Sequence, residues 1–269
     1  MIREPRPLKL GLRVIVIGYL ALLVLWPVSM VVVNTFGAGL ANLADALSSP
    51  VVLNALQLTA EVTVWSVVLN LVFGVGVSLL LVRYEFPGRR ALSALIDLPL
   101  SVSPVVVGLA LMLVNRRDAP LGGLLYDLGY QIIFATPGMI LATVFVALPL
   151  VVREVVPVLI EIGDEQEQAA RSLGGTGWQV FWRITLPGIR WAVVYGVVLA
   201  LARSLGEFGA VKVVSGNISL RTQTATLVVE ETYANFQQGT AYAVAFLLTL
   251  AAVACITVVS ILRPREANA

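Results

Sequence analysis

No histidine and a single cysteine occur among the 269 residues. Without histidine there is no imidazole to act as a general base and no His-ligated metal centre. Cys255 alone cannot form a disulfide within the chain, and its place in an apolar run suits a small packed hydrophobe. Charge is also scarce: 13% of residues are Asp, Glu, Lys or Arg, about half the share usual in a soluble domain. Nowhere does the order Gly-x-x-x-x-Gly-Lys-Ser/Thr occur, which holds nucleotide phosphates on backbone N–H groups and a lysine, and the glycines of GGTGW at 174–178 precede no lysine. Carboxylates are scattered through the polar stretches without the facing pair that hydrolysis needs. These absences exclude an ATPase, a His-centred metalloenzyme and an acid–base hydrolase. No catalytic residue, metal site or cofactor is expected in the chain. Its net charge of +2 does not mark a nucleic-acid partner.

What is present is apolar. Hydrophobic residues make up 58% of the chain, and its mean hydropathy is +0.91. Six runs approach the roughly 20 residues that cross a bilayer, at about 14–33, 62–82, 94–114, 132–152, 189–214 and 241–262. The first follows Arg3, Arg6, Lys9 and Arg13. Although GAGL at 37–40 looks like a cleavage site, the run is longer than a signal h-region and reads as an uncleaved span. Basic residues then alternate. Arg83, Arg89 and Arg90, next Arg153, Arg171, Arg183 and Arg190, and finally Arg263 and Arg265 share a side with the N-terminus. The opposite segments hold only Arg116, Arg117, Lys212 and Arg221. The positive-inside rule places the richer side, with both termini, in the cytoplasm. With no repeat, linker or soluble insert, residues 1–269 read as one all-α, polytopic membrane domain of six transmembrane helices in contact with lipid.

The least membrane-like stretch is Glu161 to Trp191, on the basic side. Asp164 and Glu167 have capping-box spacing, and so do Thr176 and Gln179, which predicts two short helices separated by Gly174 and Gly175. Trp178, Phe181 and Trp182 fall on one face of the second helix, and Pro187 is expected to end it. An amphipathic helix lying on the membrane surface is the competing reading.

Ala169, Ala170, Gly174, Ile184, Leu186 and Pro187 follow the spacing of the EAA loop in binding-protein-dependent ABC importer permeases, which this stretch resembles. Gln168 departs from it, standing where that family carries Glu, with Glu167 next door. The resemblance implies a MetI-like permease whose coupling face docks on an ATPase, here Glu167, Gln168, Ala169, Ala170, Leu173 and Gly174. It also implies that ATP and magnesium are bound by two partner ATPase subunits rather than by this chain.

Prolines at 27, 99, 104, 137 and 149 interrupt the apolar runs, each removing a helix hydrogen bond. In DLPLSVSPVVVG, Asp97 to Gly108, Ser101 and Ser103 place hydroxyls beside Pro104, which suits a pathway lining. This cluster resembles the third span of sulfate and molybdate permeases. In the fifth run Arg203 and Glu207 sit at i, i+4, an arrangement costly enough within a membrane to suggest function, with a structural ion pair between helices as the alternative. Gly206 and Gly209 there permit close helix approach.

RSLGEFGAVKVVSGNI, with IIFATPGMILATVFVALPLVVREVVP upstream, is similar to CysW-type membrane subunits of sulfate/thiosulfate importers of the bacterial inner membrane. That resemblance implies a CysT-type permease partner and an extracytoplasmic sulfate-binding protein. The broken third run and the charged pair of the fifth together suggest a translocation pathway through Ser101, Ser103, Pro104, Arg203 and Glu207. Molybdate and tungstate permeases share the Gly-Glu-Phe-Gly element, so another oxyanion is the alternative substrate. A stand-alone secondary transporter coupled through Arg203 and Glu207 is the rival of another class.

Overall fold

The computed structural model describes residues 6–37 and 39–262; Arg3, Ala38, Arg263 and Arg265 lie outside them. Regular structure among the described residues is entirely helical. The first stretch joins α1 (Arg6–Leu20), a π turn (Ala21–Leu25) and α2 (Trp26–Gly37). There follow α3 (Leu40–Ser48), α4 (Pro50–Arg83), α5 (Arg89–Ser101), α6 (Pro104–Val114), α7 (Pro120–Asp127) and α8 (Thr136–Glu161). The polar loop holds α9 (Glu165–Ser172), α10 (Gly177–Val180) and a second π turn (Phe181–Thr185). The chain then forms α11 (Leu186–Leu205), α12 (Gly209–Ser215), α13 (Ala225–Ala234) and α14 (Gln238–Leu262).

Five stretches are long and apolar enough to cross a membrane: Gly11–Gly37, Pro50–Arg83, Thr136–Glu161, Gly177–Leu205 and Gln238–Val258. The third expected span is different. It is the pair α5 and α6, bent by 117°. Pro104 opens α6, and the residues before it, Val102 (ψ 139°) and Ser103 (ψ 133°), are held extended because a proline ring crowds a helical predecessor. The second span starts twelve residues earlier than hydropathy suggests, since Pro50 opens the helix ahead of the apolar run, in a stretch that includes Asn54, Gln57, Thr59 and Glu61. Nor does the fifth run continue to 214. Its helix stops at Leu205, and Gly206 to Phe208 separate α11 from α12.

Pro187 does not end a helix either. Residues Gly177–Leu205 are one continuous helical stretch because the π turn absorbs the proline. A proline ring clashes with the carbonyl four residues back. Here the Leu186 N–H reaches the Phe181 carbonyl five residues back, which widens the turn around that clash. The first span repeats the device, with the Trp26 N–H on the Ala21 carbonyl just before Pro27. Pro104 and Pro137 start α6 and α8 instead of kinking a span, whereas Pro99 and Pro149 lie inside helices.

The core is built around α8, which is uncharged from Thr136 to Val152. Val151, Val155 and Leu159 are fully buried with Ile189 and Ala200 of α11 and Val75 of α4. Tight packing needs small residues at this crossing. A Cβ on Gly74 would lie 2.7 Å from Val151 Cγ1, and one on Gly196 only 2.9 Å from Val151 Cα. Farther along α8, Met139, Ala142 and Val146 pack with Val107 of α6 and Ala210, Val211 and Val214 of α12. The first span stands apart from this core. It touches α14 through Phe36 against Phe246 and a Thr35 hydroxyl donating to the Tyr242 carbonyl at 3.0 Å.

Candidate functional site

The site residues expected from the sequence fall in two places: the 161–191 loop, and the breaks flanking α6 and α12. In the loop, α8 ends at Glu161, Gly163 follows in the left-handed region (φ +64°), and α9 begins at Glu165. The expected box between Asp164 and Glu167 does not form, because the Asp164 side chain makes no cap bond. Glu167 turns inward instead. Its carboxylate receives Arg83 Nε at 3.1 Å, Arg83 Nη2 at 3.2 Å and the Thr185 hydroxyl at 2.8 Å. Arg83 Nη1 and Nη2 also donate to the carbonyls of Leu159 (3.0 Å) and Gly163 (2.6 Å). With side chains 12% and 8% exposed, a guanidinium at the end of α4 requires a counter-charge, and that requirement outweighs a single cap bond. The result is a strut that ties α9 to α4, α8 and the π turn.

The other coupling-face residues point outward. Gln168 is exposed and donates to Asp164 Oδ2 at 2.8 Å, while Ala169 and Gly174 are exposed and Ala170 is half-buried. Leu173 is 90% exposed at the tip of α9. Gly174 takes φ +85° as expected, with the Gly175 N–H closing on the Ala170 carbonyl at 2.9 Å. Thr176 and Gln179 form the expected reciprocal box. Trp178, Phe181 and Trp182 cluster, with Trp182 T-shaped against both other rings; Trp178 and Trp182 are exposed, and Phe181 packs on the α4–α8–α11 core.

At the second place, Arg203 and Glu207 are paired, but not along one helix. Arg203 lies in the last turn of α11, and Glu207 lies in the break. Arg203 Nη1 approaches Glu207 Oε2 at 2.6 Å without the alignment of a hydrogen bond. Glu207 is buried, its side chain 2% exposed against 35% for Arg203. Its other oxygen accepts the Ala210 N–H at 2.9 Å at the start of α12, and its carbonyl accepts the Thr226 hydroxyl at 2.8 Å. The carboxylate thus holds the break open. Gly209 brings the two breaks together, since its absent Cβ would lie 3.1 Å from Pro104 Cβ and 3.2 Å from Val105 Cγ2. Gly206 has no such close neighbour on another helix. Ser101 and Ser103 are exposed, and no hydrogen bond links them to Arg203 or Glu207 among the described residues.

Arg83 entered the sequence reading only as a topological charge, and Thr185 not at all. The available signal was an arginine closing a 34-residue apolar helix; its partner lies 84 positions away, beyond any local pattern.

The family model described as binding-protein-dependent transport system inner membrane component matches residues 70–267. The sulfate transport system permease protein CysW of Synechococcus elongatus is 48% identical over 241 residues, 90% of this chain and 84% of that protein. Its counterpart from Synechocystis is 44% identical over 269 residues, covering 99% and 98%. Among solved structures, a bacterial alginate ABC transporter in complex with an alginate pentasaccharide-bound periplasmic protein superposes with a TM-score of 0.77. That match has 16% identity and covers 97% of this chain and 95% of the other. It speaks for the fold.

Proposed function

This chain belongs to the binding-protein-dependent transport system inner membrane components and is a permease subunit rather than an enzyme, and from that premise we propose that it carries sulfate or thiosulfate inward through a pathway shared with a CysT-type permease. Two ATPase subunits in the cytoplasm bind ATP with magnesium, and an extracytoplasmic binding protein delivers the anion. Both termini lie on the ATPase side. Similarity to sulfate permeases over nine-tenths of the chain supports the substrate. The observation that carries the coupling reading is the strut. A helix whose tip exposes Leu173 can transmit a push only if its base is fixed, and Arg83 fixes it to the central helices.

In this reading Glu167 orients the docking face from within, while Gln168, Ala169, Ala170, Leu173 and Gly174 meet the ATPase. Arg203 and Glu207, with Ser101, Ser103 and Pro104 lining the approach, form a weak polar constriction. A lone buried arginine would hold a dianion too firmly to release it; Glu207 offsets that charge, and tight capture is left to the binding protein.

Reconstitution of the four kinds of subunit in proteoliposomes tests the proposal. Radiolabelled sulfate should enter only with ATP and loaded binding protein present. Uptake driven by an ion gradient without the ATPase would establish the secondary-transporter reading, and preference for molybdate over sulfate would move the substrate to the other oxyanion class.

A further inference from the structure

Arg153 and Asp97 form an ion pair that neither the coupling loop nor the α11–α12 break uses. Arg153 Nε donates to Asp97 Oδ1 at 3.0 Å, joining α8 to α5. The terminal nitrogens of Arg153 meet no acceptor among the described residues. The side chains remain 59% and 45% exposed, about two helical turns, roughly 12 Å, before the end of α8. Both residues fall within stretches long and apolar enough to cross a membrane, where charged groups face protein interior or a water-filled cavity rather than acyl chains. A cavity of about 210 Å³ lies against the pair, walled also by Ser93, Leu81, Val156 and Pro157. Because Asp97 engages only Nε, the two terminal nitrogens, the fork suited to two oxygens of an oxyanion, stay open. The pair shares a design with Arg203 and Glu207: in each, the arginine is the more exposed member, and the carboxylate backs it.

From this arrangement we infer that Arg153, held and partly neutralised by Asp97, is an anion-binding group on the ATPase side of the α5–α6 break, a release station for a tetrahedral oxyanion. This rests on the proposed substrate class. Asp97 keeps the station weak, so that the anion moves on.

The test uses the assembled complex in proteoliposomes. Binding-protein-stimulated ATPase activity is followed as sulfate is added on the ATPase side, where occupancy of a release station slows the cycle. Arg153→Gln deletes the station, so the half-inhibiting sulfate concentration should rise by about threefold or more. Asp97→Asn keeps an oxygen for Nε but removes the counter-charge, so that concentration should fall by about threefold. Both substitutions destroy the ion pair. A structural pair therefore shifts both variants in one direction or in neither, and either result overturns the inference. Insensitivity of the unmodified complex to sulfate overturns it as well.

Should either variant fail to assemble, Arg153→Lys keeps the pair but loses the fork. It should behave like Arg153→Gln, and wild-type behaviour overturns the inference. If the unmodified complex takes up no sulfate, the substrate assignment falls by itself; molybdate on the ATPase side then serves as the probe, with the same opposed shifts expected.

Discussion

Two Arg–Glu pairs with buried carboxylates sit in this chain, and they are built differently. At the loop, Arg83 makes four hydrogen bonds to Glu167, Leu159 and Gly163, and Glu167 also accepts Thr185. At the break, Arg203 has one unaligned contact with Glu207 and keeps about a third of its side chain exposed. A fully satisfied pair has one low-energy arrangement and behaves as rigid structure. An under-satisfied pair has capacity left for another partner. On the proposed roles, stiffness falls where force would be transmitted and spare hydrogen-bonding capacity where a ligand would pass.

Arg83→Met should produce the largest effect and would break the comparison most directly. It strands Glu167 in a buried site, a loss of about 3 to 5 kcal/mol for such a pair. The expected result is a sharp fall in complex yield and in its unfolding temperature, with partial recovery when Glu167→Gln is added. A silent Arg83→Met would show that the loop needs no strut. Next in size is Arg203→Met combined with Glu207→Gln, which removes both charges and leaves an oxygen for the Ala210 N–H. At normal membrane abundance, sulfate uptake should fall at least about tenfold, equivalent to about 1.4 kcal/mol. Near-normal uptake would return this pair to the same structural class as the first.

Smaller effects sharpen the contrast at the docking tip. Gly174→Val forces a β-branched residue into the left-handed region at a cost of about 1 to 2 kcal/mol, whereas Gly174→Asn should cost less. A Cβ there meets nothing within 4 Å among the described residues. Binding-protein-stimulated ATPase activity should therefore drop in the order Asn, then Val, while the complex still assembles; equal activity in both would remove this turn from coupling. Smallest is Gln168→Glu. Position 168 is exposed and outside the strut, and one more carboxylate opposite Asp164 costs about 0.2 to 0.5 kcal/mol. Uptake should stay within error of wild type, and an inactive variant would mean that the docking groove requires a neutral residue here.

Which features were legible in the sequence follows from the range of the interactions. The Thr176–Gln179 box, the left-handed Gly174 and the apolar spans are set within a few residues, and pattern reading found them. The MetI-like permease fold was legible through the spacing from Ala169 to Pro187. Three features were not. Glu167 was assigned to a cap because its competitor, Arg83, is remote in sequence. The fifth span was drawn through Gly206 to Phe208 because hydropathy does not register a turn made of small and apolar residues around one carboxylate. The 117° bend was signalled by Ser103-Pro104, but only as an interruption; a proline preceded by extended residues can start a new helix as readily as kink an old one.

The π turn before Pro187 has an angular meaning. Each residue advances a regular helix by about 100°, so the additional residue in this turn sets the azimuth at which Trp178 and Trp182 project relative to Ile189 and Ala192 in the core. Pro187→Ala would remove the ring that keeps the turn wide; with every residue kept, closure into ordinary α geometry would swing the aromatic face by about 100°. The loop would keep its caps and its exposed leucine, yet be clocked to the wrong bearing, so the bulge acts as the indexing pin of the proposed coupling helix.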